Sequence, residues 1–413
     1  MTIRRVWVFA AALLLAGCAA APVTPLGTEP PAPRASGTTA SSASPVAGPS
    51  DPWAEANVVQ PSAVTSAPTL LPGFQCHPCH FLAENQFFGV GDSTAGLIAV
   101  GVQQPPAQAI AFSSTDGTQW VPVPGFDGAT GTTAIAVATK GSRTTIVGLD
   151  PSGATSWASA GGSWMQAPRQ ADLLVRYAAG AMTSVTAFGS GFVAGGYRDD
   201  PLHAAASAAV WRSNDGLTWR ADDGSGTFGG GRIWGIVARA GTIVAVGTSG
   251  DPVYGPAAAW RWTQAGGWQR GRIGPDAAGA MRAVVTTPSG FVAVGLNGHD
   301  DGALAWTSPD GLSWTAAPDQ PAFQYYGLPL RMQSVVAGPT GLVAGGWRSD
   351  AGKGSAVTWT SADGVTWRGP TWETSFSGAQ ITGLALSGGT IVAVGRTGYP
   401  DWNQAAAWVS PAP

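Results

Sequence analysis

A short apolar strand closed by glycine recurs seven times along the chain. It reads LIAVG from Leu97, TTIVG from Thr144, FVAGG from Phe192, IVAVG from Ile243, FVAVG from Phe291, LVAGG from Leu342 and IVAVG from Ile391. Successive copies lie 47 to 51 residues apart, the spacing of one four-stranded propeller blade with its loops. A second pattern follows most copies: WRSNDGLTW from Trp211, WTSPDGLSW from Trp306, WTSADGVTW from Trp359 and FSSTDGTQW from Phe112. Worn versions follow Trp157 and Trp262, and the last copy stops at AAAWVSPAP. Each reads as two strands joined by a tight turn, with Asp taking local amides, Gly supplying positive φ and Trp opening the next strand. The prediction is an all-β chain: a seven-bladed β-propeller of four-stranded antiparallel blades.

Aromatic residues at fixed register then pack blade on blade. Phe112, Trp157, Trp211, Trp260, Trp306, Trp359 and Trp408 form one ring, and Trp120, Trp164, Trp219, Trp268, Trp314 and Trp367 another. The seventh blade lacks an outer strand, because the sequence stops shortly after Trp408. A segment near Asp51-Pro52-Trp53 is expected to supply it and to complete the outer ring with Trp53.

The turns, with Asp116, Asp215, Asp310 and Asp363 and the tryptophans Trp120, Trp219, Trp314 and Trp367, resemble Asp-boxes. These are the repeats of sialidases and other BNR-type propellers, usually Ser-x-Asp-x-Gly-x-x-Trp. This chain omits the residue between Asp and Gly. The resemblance covers nearly the whole body and implies the fold; it carries no catalytic residues across.

Ahead of the repeats, Arg4 and Arg5 precede an apolar run from Val6 to Ala16 and then Leu15-Ala16-Gly17-Cys18. That is the order of a secretory signal peptide. Leu-Ala-Gly-Cys resembles the bacterial lipobox, which implies acylation of Cys18 and a membrane anchor on the extracytoplasmic side of the cell envelope; an ordinary signal peptide that contains a Cys fits the same residues. From there to about residue 50 the chain is almost wholly Ala, Pro, Ser, Thr and Gly, too polar and small to bury a core. The expected organisation is a signal peptide over 1–17, a disordered tether over 18–50 and the propeller over 51–413.

Only 11% of residues are charged, net charge is −3, and the lysines are Lys140 and Lys353. There is no basic stripe to track a phosphate backbone, so nucleic acid is not an expected partner. With Cys18 assigned to the anchor, Cys76 and Cys79 remain to form a disulfide in an oxidising compartment. Cys76-His77-Pro78-Cys79-His80 also satisfies C-x-x-C-H, the attachment pattern of c-type haem with His80 on the iron, but the flanks offer no cytochrome-like helix or nearby Met. Five residues crowd too closely to surround a zinc ion. The expectation is a disulfide, no cofactor and no metal.

With the inner strand first in each blade, the second-to-third loops and the segments entering each inner strand share one face, and the variable sequence falls there. Its aromatics, Phe323, Tyr325, Tyr326, Trp372, Phe376 and Trp402, stand beside Asp, Asn and His as on a carbohydrate-facing surface; Asp, Gly and Pro there also serve simply to turn the chain. Arg232, Arg282 and Arg331 recur near the starts of the fourth, fifth and sixth inner strands, where alternation directs them to one side as a candidate anion site. Sialidases use an arginine triad, yet this chain has no Phe/Tyr-Arg-Ile-Pro motif. Its four glutamates are Glu29, Glu55, Glu84 and Glu373, and no Tyr/Glu pair or acid can be assigned. The leading expectation is a monomeric binding module for a glycan, cell-wall fragment or envelope protein. A glycan-acting hydrolase or lyase and a structural or assembly lipoprotein are the alternatives.

Overall fold

The computed structural model describes residues 53–58, 84–174, 180–199, 206–222, 226–251, 255–274, 279–298, 302–325, 328–350, 353–371, 376–398 and 404–412. The expectations for Cys18, Cys76, Cys79, His80, Tyr326, Trp372 and Trp402 lie outside them. The described strands form seven sheets, each a four-stranded antiparallel blade, two of them with a short fifth strand. The first strand of each blade is the inner one: Glu84–Ser93, Thr133–Lys140, Gly180–Phe188, Gly231–Arg239, Gly279–Thr287, Leu330–Ala337 and Gln380–Ser387. Each neighbours the next in a closed cycle, the last returning to the first.

Every inner strand carries a β-bulge at the same place. The glycine that closes each repeat stands beside it. A Cβ at Gly148 would sit 1.9 Å from the Thr133 carbonyl oxygen, and one at Gly395 1.8 Å from that of Gln380. The repeat therefore ends in glycine because two backbones approach too closely for a side chain.

The ring closes through its first described strand. Ala54–Glu55 pairs antiparallel with Gln404–Pro411, Glu55 opposite Trp408, as blade 7's outer strand. Trp53 is buried and lies 5.6 Å from Phe376, itself 5.7 Å from Trp408. The two aromatic rings form as expected: apart from the half-buried Trp164, every member is buried.

Four blades share one turn between third and outer strands. In blade 3 the amide of Gly216 donates to Ser213 Oγ (2.8 Å), those of Leu217 and Thr218 to Asp215 Oδ1 (2.8 and 2.6 Å), and Trp219 Nε1 to the Gly216 carbonyl (3.1 Å). Blades 1, 5 and 6 repeat it around Asp116, Asp310 and Asp363. The four turn glycines have φ between 75° and 84°, the left-handed region. They press on the preceding blade's second strand: a Cβ at Gly117 would lie 2.7 Å from Val392, and one at Gly311 2.3 Å from Val244. All four carboxyls are held below the usual aspartate range. The amide of Thr118 does this for Asp116 and that of Thr366 for Asp363; for Asp215 and Asp310 burial pushes upward but the amide bonds outweigh it.

The outer edges of these same four blades are covered by the linker that precedes them. Asn57–Val58 lies parallel to blade 1's outer strand, and Arg272–Ile273 to blade 5's. On blades 3 and 6 a glutamine side chain takes the strand's place. Gln170 donates to the Leu217 carbonyl and accepts from the Trp219 amide (2.7 and 2.8 Å), and Gln320 does the same with Val365 and Trp367 (2.9 and 2.8 Å). Unpaired edge groups are thereby satisfied without a further full strand.

Candidate functional site

Isolated bridges tie the start of each of several third strands to the linker entering the next inner strand: Gln108 to Thr130, Ser207 to Gly230, Gly302 to Gln324 and Ser355 to Ser377. The second-to-third loops and the entering segments therefore do share one face, opposite the Ser-x-Asp-Gly turns. This face holds the mouth of the central channel.

The described aromatics of the mouth are stacked by arginine. The Arg232 guanidinium carbon lies 3.9 Å from the Tyr197 ring centroid and 5.8 Å from that of Trp234, while Arg282 lies 4.7 Å from Trp234. On blade 6, Arg331 stands 5.5 Å from Trp347, and Arg348 stacks on Tyr325 at 4.6 Å while donating from Nη1 to its hydroxyl. Arg396 Nε donates to Gln380 Oε1 at 3.0 Å. A guanidinium laid flat on a ring gains cation–π attraction and keeps its N–H edge, lying in its own plane, free of the ring.

The three predicted arginines are not brought into one triad. Arg232 and Arg331 occupy equivalent positions, opposite Thr248 and Trp347, but Arg282 lies two residues further along, at the bulge of its own strand and equivalent to Trp234. The structure groups Arg232 with Arg282 across Trp234 and sets Arg331 against Trp347. Two aromatics expected on the face are core instead. Phe376 is fully buried between Trp53 and Trp408, and Phe323 is buried in the cluster of Trp359 and Trp367. Tyr325 stays half-buried at the mouth.

The seam between blades 3 and 4 has a further property. Nε of Arg232, Nε1 of Trp234 and Oγ1 of Thr248 are buried with no hydrogen-bond partner among the described residues, and Thr248 stands directly across from Arg232 in the strand register. Tyr197 and Trp234, which the sequence reading did not single out as site residues, belong to this group. Their only sequence signal was an aromatic one or three residues after a repeat's strand boundary. Among the described residues no three His, Cys, Asp or Glu side chains are gathered as a metal ion would require.

No family model matches the chain, and no curated protein matches it. Solved structures similar to it include the WD40 β-propeller domain of Doa1, at 11% identity and TM-score 0.46, covering 79% of this chain and 93% of that one. Sqt1 from Chaetomium thermophilum is similar at 12% identity and TM-score 0.44, covering 80% and 97%. Trypanosoma rangeli sialidase is similar at 9% identity and TM-score 0.43, with 79% of this chain spanning 55% of the sialidase. These likenesses are of fold.

Proposed function

We propose that the chain is a binding module of the bacterial cell envelope, anchored through lipid on Cys18, whose channel mouth takes an anionic ligand: an acidic glycan, a cell-wall fragment or an acidic stretch of an envelope protein. The stacking of guanidinium groups on the mouth's aromatics carries this reading. Tyr197 and Trp347 are buried and Trp234 lies between two arginines, so their ring faces are not platforms for a neutral sugar. Guanidinium edges are suited to a carboxylate, phosphate or sulfate. The unpartnered donors at Arg232, Trp234 and Thr248 add to it, since a buried donor without an acceptor is costly and an acceptor-rich group relieves that cost. In this reading the four Ser-x-Asp-Gly turns are Asp-box-like scaffold on the far face.

The test is an array of neutral and acidic glycans, cell-wall fragments and acidic peptides, probed with the purified protein and with an Arg232→Gln/Arg282→Gln variant. Saturable binding confined to acidic probes, weakened by salt and reduced at least tenfold in the variant, is the expected result. Equal binding of neutral and acidic probes, or no change in the variant, overturns the proposal.

A further inference from the structure

The bulge in every inner strand sets one side chain of each blade apart. That residue has no partner in the second strand, falling between Met281 and Ala283 in blade 5 and between Met332 and Ser334 in blade 6. The residue before it is fully buried in all seven blades, from Phe87 to Ile381, whereas the bulge residue itself is half-buried in all seven. The residue after it is Gly, Ala or Ser in every blade, and there neighbouring inner strands meet. A Cβ at Gly89 would sit 2.6 Å from the Ile135 carbonyl oxygen, and one at Gly235 3.2 Å from Ala283 Cα. With the inner strands in contact around a closed cycle, the solvent that reaches the bulge residues is that of the central channel. They line it as a ring, one side chain per blade.

The ring is divided. Blades 4, 5 and 6 contribute Trp234, Arg282 and Gln333, and blades 1 and 2 contribute Phe88 and Ile135. Between these arcs, on blades 3 and 7, stand Thr183 and Thr382. Their hydroxyls donate into the wall, to the carbonyls of Ile233 and Phe87 at 2.5 and 2.7 Å. Arg282 is the ring's one cation, and in a cycle of seven the point opposite blade 5 falls between blades 1 and 2. The guanidinium therefore faces the apolar pair, and Arg232, 5.8 Å from the Trp234 ring, adds a second cation on the same arc.

The geometry points to an amphipathic anion as the ligand of the mouth: one acidic group, held by Arg232 and Arg282, on a compact aromatic or branched apolar body that covers Phe88 and Ile135. This inference rests on the anionic reading proposed above and narrows it to acids with an apolar face. A fully hydroxylated body would lose water from its hydroxyls against Phe88 and Ile135 with no hydrogen bond in return, whereas an apolar body gains by leaving water.

Calorimetric titration of the purified protein with phenylacetate, glucuronate and phenylacetamide tests it. Phenylacetate should bind about tenfold or more tighter than glucuronate, the gain from burying one ring, and tighter than the neutral phenylacetamide. A Phe88→Asn/Ile135→Thr variant should lose the preference for phenylacetate while keeping its affinity for glucuronate, which also shows that it folds. Equal affinity for the two acids in the parent protein, an unchanged preference in that variant, or no binding of phenylacetate overturns the inference. If glucuronate still binds and is lost in the Arg232→Gln/Arg282→Gln variant, the anionic reading outlives it. Phenylacetamide binding as tightly as phenylacetate overturns both.

Discussion

Blades 1, 3, 5 and 6 differ from blades 2, 4 and 7 in two ways that travel together. The first group has the Ser-x-Asp-Gly turn and a covered outer edge; the second lacks that turn and, among the described residues, has no fifth strand or glutamine clamp, and sets a phenylalanine, Phe126, Phe228 or Phe376, against its paired tryptophans. The hydrogen bonds show why turn and cover go together. In blade 3 the amide of Leu217 is held by Asp215 and its carbonyl by Gln170. In blade 6 Val365 is held likewise by Asp363 and Gln320. In blades 1 and 5 the shared residues are Thr118 and Leu312, whose carbonyls meet Asn57 and Arg272. Carboxylate and linker grip opposite sides of one residue, so the turn fixes the group that the linker then binds. Where the turn is worn, as in blade 4, the linker's grip shrinks to one hydroxyl, Thr227 Oγ1 on the Trp268 carbonyl at 3.3 Å, and aromatic packing helps to hold the strand.

Removing residues 53–58 should give the largest effect. It opens blade 7, uncovers blade 1 and exposes the Phe376 and Trp408 rings, and truncating a buried Trp alone costs about 3–5 kcal/mol. Cooperative loss of stability in thermal and denaturant unfolding is expected, and unchanged melting would show that the ring does not close through this segment. Next come paired glycine substitutions. Gly311→Ala combines positive φ with a clash against Val244 and should cost about 2–4 kcal/mol. Gly162→Ala, at φ 97° with open space around it, should cost about 1–2 kcal/mol. Equal losses would mean that the turns of the first group do not lock neighbouring blades.

Gln320→Ala should cost about 1–2 kcal/mol by freeing two edge groups that water only partly satisfies, with faster amide exchange at Trp367 and none at Trp164. The smallest effect is that of pH. Each lowered aspartate contributes stability that is present above its unfolded value, near 3.9, and is lost as pH falls through its folded value. Denaturation midpoints should therefore fall below about pH 4. Asp363→Asn should lower stability at neutral pH by about 0.5–2 kcal/mol and shrink that acid-dependent loss.

The blades were legible because their signals repeat. A glycine forced by backbone contact and a large aromatic in every blade survive in the sequence as a period, and the need for an outer strand on blade 7 led from Trp408 to Trp53. The covers were not legible, because Gln170 and Gln320 each act once, from proline-containing linkers, through a side chain that imitates a strand. The Arg282 position was misjudged because the bulge adds a residue to the inner strand, and alternation carried across a bulge loses its register. The pairing of Tyr197 with Arg232 joins different blades and has no local sequence signature. Phe323 and Phe376 share their loops with true surface residues, so only their packing separates them.

The two-residue strand at Ala54–Glu55 also sets a schedule. It is the earliest part of the body to be synthesised, and the strand it must join, Gln404–Pro411, is the last. Contacts this far apart in sequence are slow to form. Until those eight residues are available, blade 7 stays open and blade 1's neighbour is incomplete, so the body can collapse in part but cannot finish. Whatever handles this chain during its synthesis therefore meets an incomplete ring with uncovered edges.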